Sequence, residues 1–137
     1  MELPDNFSRL RSAINHFVPM SDAEWELLAP HIEEKHIKKH TFFALEGKTS
    51  SEIGFVLGGN MRHYYTKDGE EKTTYFYFEN HFVASYISCI TQQPSALTIE
   101  ALTPVHYWRF HTLSSGSFIK SRIPGNASAD LLQNISP

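Results

Sequence analysis

The chain has 137 residues, 41% of them hydrophobic and 20% charged, with a formal net charge of −3. That balance suits one folded domain with a core of its own, and it excludes a disordered chain and a broad nucleic-acid surface, which needs clustered Lys and Arg. A single cysteine, Cys89, excludes an internal disulfide and a multi-cysteine metal centre, and fits a reducing compartment. The start, Met1 to Asp5, has no basic stretch followed by an apolar run, and no segment reaches the roughly 20 apolar residues of a membrane span. A cytoplasmic protein is expected.

In chain order, Phe7, Leu10, Ile14 and Phe17 recur at three- and four-residue steps, which predicts an amphipathic helix from Asn6 to Phe17, stopped by Pro19. Ser21-Asp22-Ala23-Glu24 reads as a capping box opening a second helix with Trp25, Leu27 and Leu28, ending before Pro30. From about Ile37 the pattern alternates. Phe43 and Leu45 predict a short strand broken by Gly47. Ile53, Phe55 and Leu57 predict a half-buried strand, and Gly58-Gly59 a tight hairpin to a return strand from Asn60 to Thr66. Lys67-Asp68-Gly69-Glu70 is a second turn, before a strand from Lys72 to Phe78. Within it Tyr75-Phe76-Tyr77-Phe78 should place two rings inward and two outward. Leu97 to Ala101 and Val105 to Phe110 complete the strands.

Several short strands at this spacing predict a mainly β fold, an antiparallel jelly-roll β-barrel with N-terminal helices and a short inserted helix. The insert runs from His81 to Ser95 and should hold one short helix ended by Pro94. After Thr112 the chain is rich in Ser, Gly, Asn and Pro, with at most a short helix from Ala127 to Ile135. The expected organisation is a helical pair over 1–30, a barrel over 31–112 and an irregular tail over 113–137, all one structural domain.

Phe55-Val56-Leu57-Gly58-Gly59 with Arg62 and Tyr64-Tyr65, then Lys67-Asp68-Gly69-Glu70, then Glu79-Asn80-His81-Phe82-Val83, then Thr91-Gln92-Gln93-Pro94-Ser95 occur in an order that resembles the cyclic-nucleotide-binding domain of the Crp/Fnr family of bacterial regulators. They look most like the branch common in Bacteroidetes-type bacteria. The resemblance covers roughly Phe7 to Phe110. It implies that the insert is a phosphate-binding cassette, in which helix-start amides meet an anion, a Gly-Glu pair serves the ribose and an Arg after a Pro pairs with the cyclic phosphate. Phe82 and Pro94 match that pattern. Val83 and Ala84 stand where Gly and Glu would be, and Ser95 stands where the Arg would be.

The ligand-binding candidates are therefore Phe82, Val83, Ala84, Ser85, Tyr86, Pro94, Ser95 and Arg62, the last as a substitute cation. No catalytic residue and no metal ligand is expected, and no cofactor beyond an unidentified small-molecule or nucleotide effector. Cyclic AMP binding of the ordinary kind is not expected, because an unpaired buried charge costs several kcal/mol. The resemblance also implies a dimer helix and a helix-turn-helix after the barrel, but Ser114 to Pro137 shows neither pattern, so direct DNA binding is not expected. Output through a homodimer or a partner regulator is.

Two other classes remain open. One is a cupin-like metal-dependent enzyme, whose barrel would need clustered His and Glu. The eight histidines include no His-x-His pair. His31, His36 and His40 sit on a charged run read as solvated, and His63, His81, His106 and His111 are scattered. The other is an interaction module that has lost its ligand. Cys89 is expected to be a buried, inert thiol.

Overall fold

The structure, a computed structural model, describes residues 5–17, 19 and 21–111. The tail expected from 113 onward, its short helix, and the side chains of Phe7, Phe17 and His111 lie outside the described residues. Helix α1 spans Asp5–Phe17 and helix α2 spans Asp22–Leu28. The Ser21 capping box forms as expected, with the Ser21 hydroxyl accepting from the Glu24 amide and the Glu24 carboxylate accepting from the Ser21 amide. Pro30 does not end the chain's turning. The helix tightens into a 3-10 turn over Ala29–His31 that contains the proline, where a missing N–H costs little.

Eight strands follow: β1 Glu33–Ile37, β2 Phe42–Ala44, β3 Glu52–Gly58, β4 Met61–Lys67, β5 Glu70–Tyr77, β6 Phe82–Val83, β7 Thr98–Ala101 and β8 Val105–His111, with helix α3 (Tyr86–Thr91) between β6 and β7. They form two antiparallel four-stranded sheets, ordered β1-β8-β3-β6 and β2-β7-β4-β5. This is the expected jelly roll. Phe43, Val56, Met61, Tyr77, Val83, Ile99, Val105 and Tyr107 fill the space between the sheets. A second cluster joins Leu10, Ile14, Trp25 and Leu28 of the helices to Ile53, Phe55, Leu57, Phe82, Ala84, Cys89 and Phe110. The order is thus helices, first sheet, second sheet.

Four readings of the sequence are corrected by this arrangement. β3 is buried on both faces rather than one, because odd residues meet the helices while Gly54 and Val56 face the other sheet. Gly58-Gly59 is not a hairpin, since β3 and β4 belong to different sheets. It is the corner between them. β1 was missed, because Glu33-Glu34-Lys35-His36-Ile37 lies on an edge and carries no apolar alternation. The aromatic run also differs: Tyr77 alone is fully buried, while Tyr75, Phe76 and Phe78 are exposed along or just past the edge strand β5. The Asp68-Gly69 turn forms as expected, with positive φ at both residues, and joins β4 to β5.

The corner after β3 depends on Gly59. Its φ is +89°, and a Cβ there would stand 2.3 Å from the Pro104 carbonyl oxygen and 2.8 Å from Thr103 Oγ1. That loop is also held by the Asn60 amide donating to Thr103 Oγ1 and the Leu102 amide donating to the Asn60 carbonyl. Gly59→Ala should therefore cost about 2 kcal/mol or more, read as a fall in the urea midpoint. Gly58→Ala, where nothing stands within 4 Å of the added carbon, should leave the midpoint nearly unchanged. Equal effects would contradict this account of the corner.

Candidate functional site

The inserted segment is pinned at many points by short polar side chains. β6 pairs with β3 through Gly54 and Phe55. α3 then begins after Ser85 and ends at Gln92, whose φ of +57° reverses the chain and whose amide donates to the Ser88 carbonyl. Ser88 accepts from the Ser50 amide at 2.8 Å and donates to the Gln93 carbonyl at 2.6 Å. The Gly47 and Ser95 amides exchange bonds with the Ser95 and Lys48 carbonyls, and Thr49 bridges Pro94. The expectation that Pro94 ends the helix is off by two residues: the left-handed Gln92 ends it, and Pro94 begins the return.

A cavity of about 320 Å³ opens beside α3, lined by His63, Thr74, Ser85, Tyr86, Ile87, Ser88, Thr91, Gln93, Pro94, Ala96 and Leu97. Of the eight residues singled out from sequence, Ser85, Tyr86 and Pro94 line it. Phe82, Val83 and Ala84 are buried, and none of the three is in the lining. Phe82 packs on Phe55 with ring centroids 5.1 Å apart, and Ala84 points into the cluster under the helices. Val83 faces the other sheet. A second depression, about 400 Å³ and lined by Phe42 to Leu45 and Lys48 to Glu52, contains none of these residues.

Ser95 lies buried behind the cavity and its hydroxyl is fully engaged. It donates to the Leu97 carbonyl at 2.8 Å, accepts from the Leu97 amide at 3.2 Å, and stands 2.8 Å from the Ser85 hydroxyl. Its one proton is committed to Leu97, so Ser85 is the donor of that last bond. Thr74 donates to the His63 carbonyl, Thr91 to that of Ile87, and Ser88 to that of Gln93. Every Ser and Thr hydroxyl in the lining therefore gives its proton to the protein.

Arg62 is on β4, like His63, but on its opposite face, as the alternation in the sequence predicts. One Nη2 contacts Glu71 at 2.8 Å and Glu100 at 3.2 Å, and its guanidinium lies 3.9 Å from the Tyr64 ring centroid. Glu71 first, and Glu100 with it, hold its charge and raise its pKa. It is not in the cavity lining. His63 was read from sequence as one of several scattered histidines. It is buried, its Nδ1 lies 3.0 Å from the Tyr77 hydroxyl, and burial pushes its pKa below the ordinary value. Burial also raises the Tyr77 phenol above its usual range, and the Cys89 thiol to about 11. A thiol that keeps its proton is no nucleophile.

Residues 34–121 match the family model described as the cyclic nucleotide-binding domain. The chain belongs to that family. The regulatory domain of Toxoplasma gondii protein kinase A, solved with cAMP, superposes on this cyclic nucleotide-binding domain with a TM-score of 0.75 at 15% identity, over 90% of this chain and 48% of that one. The Thermus thermophilus catabolite activator protein gives 0.70 at 13%, over 89% and 55%. The sensor domain of the Pseudomonas aeruginosa transcriptional regulator DNR gives 0.74 at 16%, over 93% and 83%. The chain spans about half the length of the first two. These likenesses show a fold shared with Crp/Fnr-type regulators. No curated protein matches in sequence.

The buried His63 makes the stability of this cyclic nucleotide-binding domain depend on pH. Its folded pKa lies below its unfolded value of about 6.5. Above that pH both states hold the imidazole neutral, so His63 adds no pH dependence. Below it the unfolded chain binds the extra proton, so stability falls as pH falls. The urea midpoint should drop between pH 7 and pH 5.5, and His63→Gln should flatten that drop while costing about 1 kcal/mol at pH 7 through the orphaned Tyr77 hydroxyl. Parallel pH profiles for the two proteins would refute the assignment.

Proposed function

We propose that this domain is a regulatory sensor whose cavity takes a small uncharged molecule rather than a cyclic nucleotide in the usual manner. The observation that carries the reading is the lining itself: no Lys, Arg, Asp or Glu, and no Ser or Thr hydroxyl with a proton to give. A cyclic phosphate placed there would be desolvated without a cationic partner, at several kcal/mol. Arg62 does not supply the cation, because two carboxylates already claim it. Ile87 at the rim is 70% exposed, and with Ala96, Leu97 and Pro94 it makes the cavity mouth apolar. A Tyr77 hydroxyl that donates to His63 Nδ1 leaves the proton on Nε2, which gives a ligand carbonyl or hydroxyl one donor.

This stretch of chain does not itself read DNA, and passes its signal through a homodimer or a partner regulator. Its net charge of −3 supports that. The reading includes no catalysis, which is supported by each Ser and Thr hydroxyl of the lining being turned to a partner within the protein. A cytoplasmic location belongs to the same proposal and is supported by the one cysteine, Cys89, being a buried free thiol that suits a reducing compartment.

Calorimetry with cyclic AMP and cyclic GMP should show no micromolar binding, because losing a charge-assisted phosphate contact costs roughly a hundredfold or more in affinity. A thermal-shift screen should return uncharged amphipathic hits, which raise the midpoint by binding the folded state. Ala96→Trp should abolish those shifts while leaving the midpoint of the unliganded protein within a degree or two. Micromolar cyclic nucleotide binding would overturn the reading, and so would a screen returning only anions. A screen returning nothing would favour an interaction module that has lost its ligand.

A further inference from the structure

β1 and β8 are antiparallel neighbours on the first sheet, in a register that sets His36 directly opposite His106 and Glu34 opposite Trp108. Strand alternation sends Glu33, Lys35 and Arg109 to one face and Glu34, His36 and His106 to the other. On the first face the charges are settled: Glu33 pairs with Lys35 and Arg109, and Arg109 also with Glu52. On the second face no Lys or Arg pairs with Glu34 among the described residues. Its Oε1 stands 3.4 Å from His36 Nε2 and 3.1 Å from His106 Nε2.

Two details separate this group from an ordinary surface ion pair. The rings of His36 and His106 are stacked, with centroids 4.1 Å apart and planes 10° from parallel, so both Nε2 atoms lie beside the same carboxylate oxygen. His106 Nε2 is buried and makes no hydrogen bond, despite the nearby Glu34 oxygen, which lies outside hydrogen-bond geometry. A buried ring nitrogen left without a bond costs free energy unless something else meets its lone pair.

We propose that Glu34, His36 and His106 form a binding site for a divalent transition ion of the zinc class. The donor set of two imidazoles and one carboxylate is the one such an ion prefers, with a fourth position left to water. The spacing fits. Ligands about 2.0–2.1 Å from a tetrahedral ion sit roughly 3.4 Å from one another, and the two oxygen-to-nitrogen distances are 3.1 and 3.4 Å. All the ligand atoms already lie within 4.8 Å of one another, and ligation requires the two stacked rings to turn out of their parallel arrangement so that both Nε2 lone pairs converge on the ion. The site is on the sheet opposite the one that gives His63 and Thr74 to the cavity, and it does not rest on the proposed ligand. It departs from the expectation from sequence that no metal is bound.

The test is titration of tag-free, chelator-treated protein with zinc chloride by calorimetry, with cobalt chloride as a spectroscopic probe of tetrahedral nitrogen and oxygen ligation. We expect one equivalent of zinc with micromolar affinity, and a zinc-dependent rise in the thermal midpoint, since the ion ties the edge strand to its neighbour. His36→Gln and His106→Gln should each weaken uptake roughly tenfold or more and remove the rise. His40→Gln, beside Glu100 on the other sheet, should change neither. Absence of saturable uptake would overturn the proposal. So would uptake unaltered in both His36→Gln and His106→Gln, with the metal-free midpoint of each variant, at the exposed His36 and the half-buried His106, confirming that it folds.

Discussion

A Cβ at position 54 would stand 2.9 Å from Val83 Cγ1, 3.1 Å from a Tyr107 ring carbon and 3.2 Å from one of Phe43. Those three side chains come from β6, β8 and β2, so both sheets close over Gly54, where the middle of β3 has no side chain. Gly54 pairs with Val83 on one side and Arg109 on the other. The two-residue strand that launches the inserted segment is therefore held by packing as much as by hydrogen bonds. A methyl group at that point must push Val83 or Phe43 outward, and overpacking a core of this density costs about 1–3 kcal/mol. The position of α3 and of the cavity beside it follows from this close approach.

Downstream of that point the segment is set by hydroxyls rather than by charge. Ser88 ties α3 to the Ser50 amide, and the Ser85–Ser95–Leu97 chain of bonds closes the return. Neutral bonds of this kind contribute roughly 1 kcal/mol each, but leaving one buried partner unmet costs about 1–3. A guanidinium at 95 would break three bonds and bury a charge with no carboxylate in the cavity lining to meet it, whereas the serine hydroxyl is met within the protein. The uncharged ligand proposed for the cavity would accordingly be held by apolar contact more than by ion pairing.

The parts of the fold that were legible in the sequence are those whose signal is local. α1 follows from apolar spacing, α2 from the Ser21–Glu24 capping box, the β4–β5 turn from Asp68-Gly69, and the barrel class from the run of short strands. What was not legible depends on distant partners. β1 is charged on both faces because it is an edge, and its polarity guards against pairing with another chain; read alone, it is a solvated loop. Gly58-Gly59 has the composition of a hairpin, and only the sheet assignment of β4 makes it a corner. Of the residues lining the cavity, Ser85, Tyr86 and Pro94 are ones that the resemblance to the cassette singles out. His63, Thr74 and Leu97 arrive from β4, β5 and the return, and nothing in their neighbours announces it.

The histidines make the same point from the other direction. Searching for His-x-His spacing assumes that ligands share a strand, but the antiparallel register puts His36 against His106 with most of the barrel between them in sequence. Once the register is known, face alternation does the rest: it places Glu34 with the two imidazoles and sends Lys35 and Arg109 away to the carboxylates of Glu33 and Glu52. The polarity that keeps an edge strand from aggregating is therefore also what supplies ligand atoms there. An apolar β1 would have been easier to find in the sequence, and it would have exposed a pairing edge while leaving His106 with no carboxylate beside its buried nitrogen.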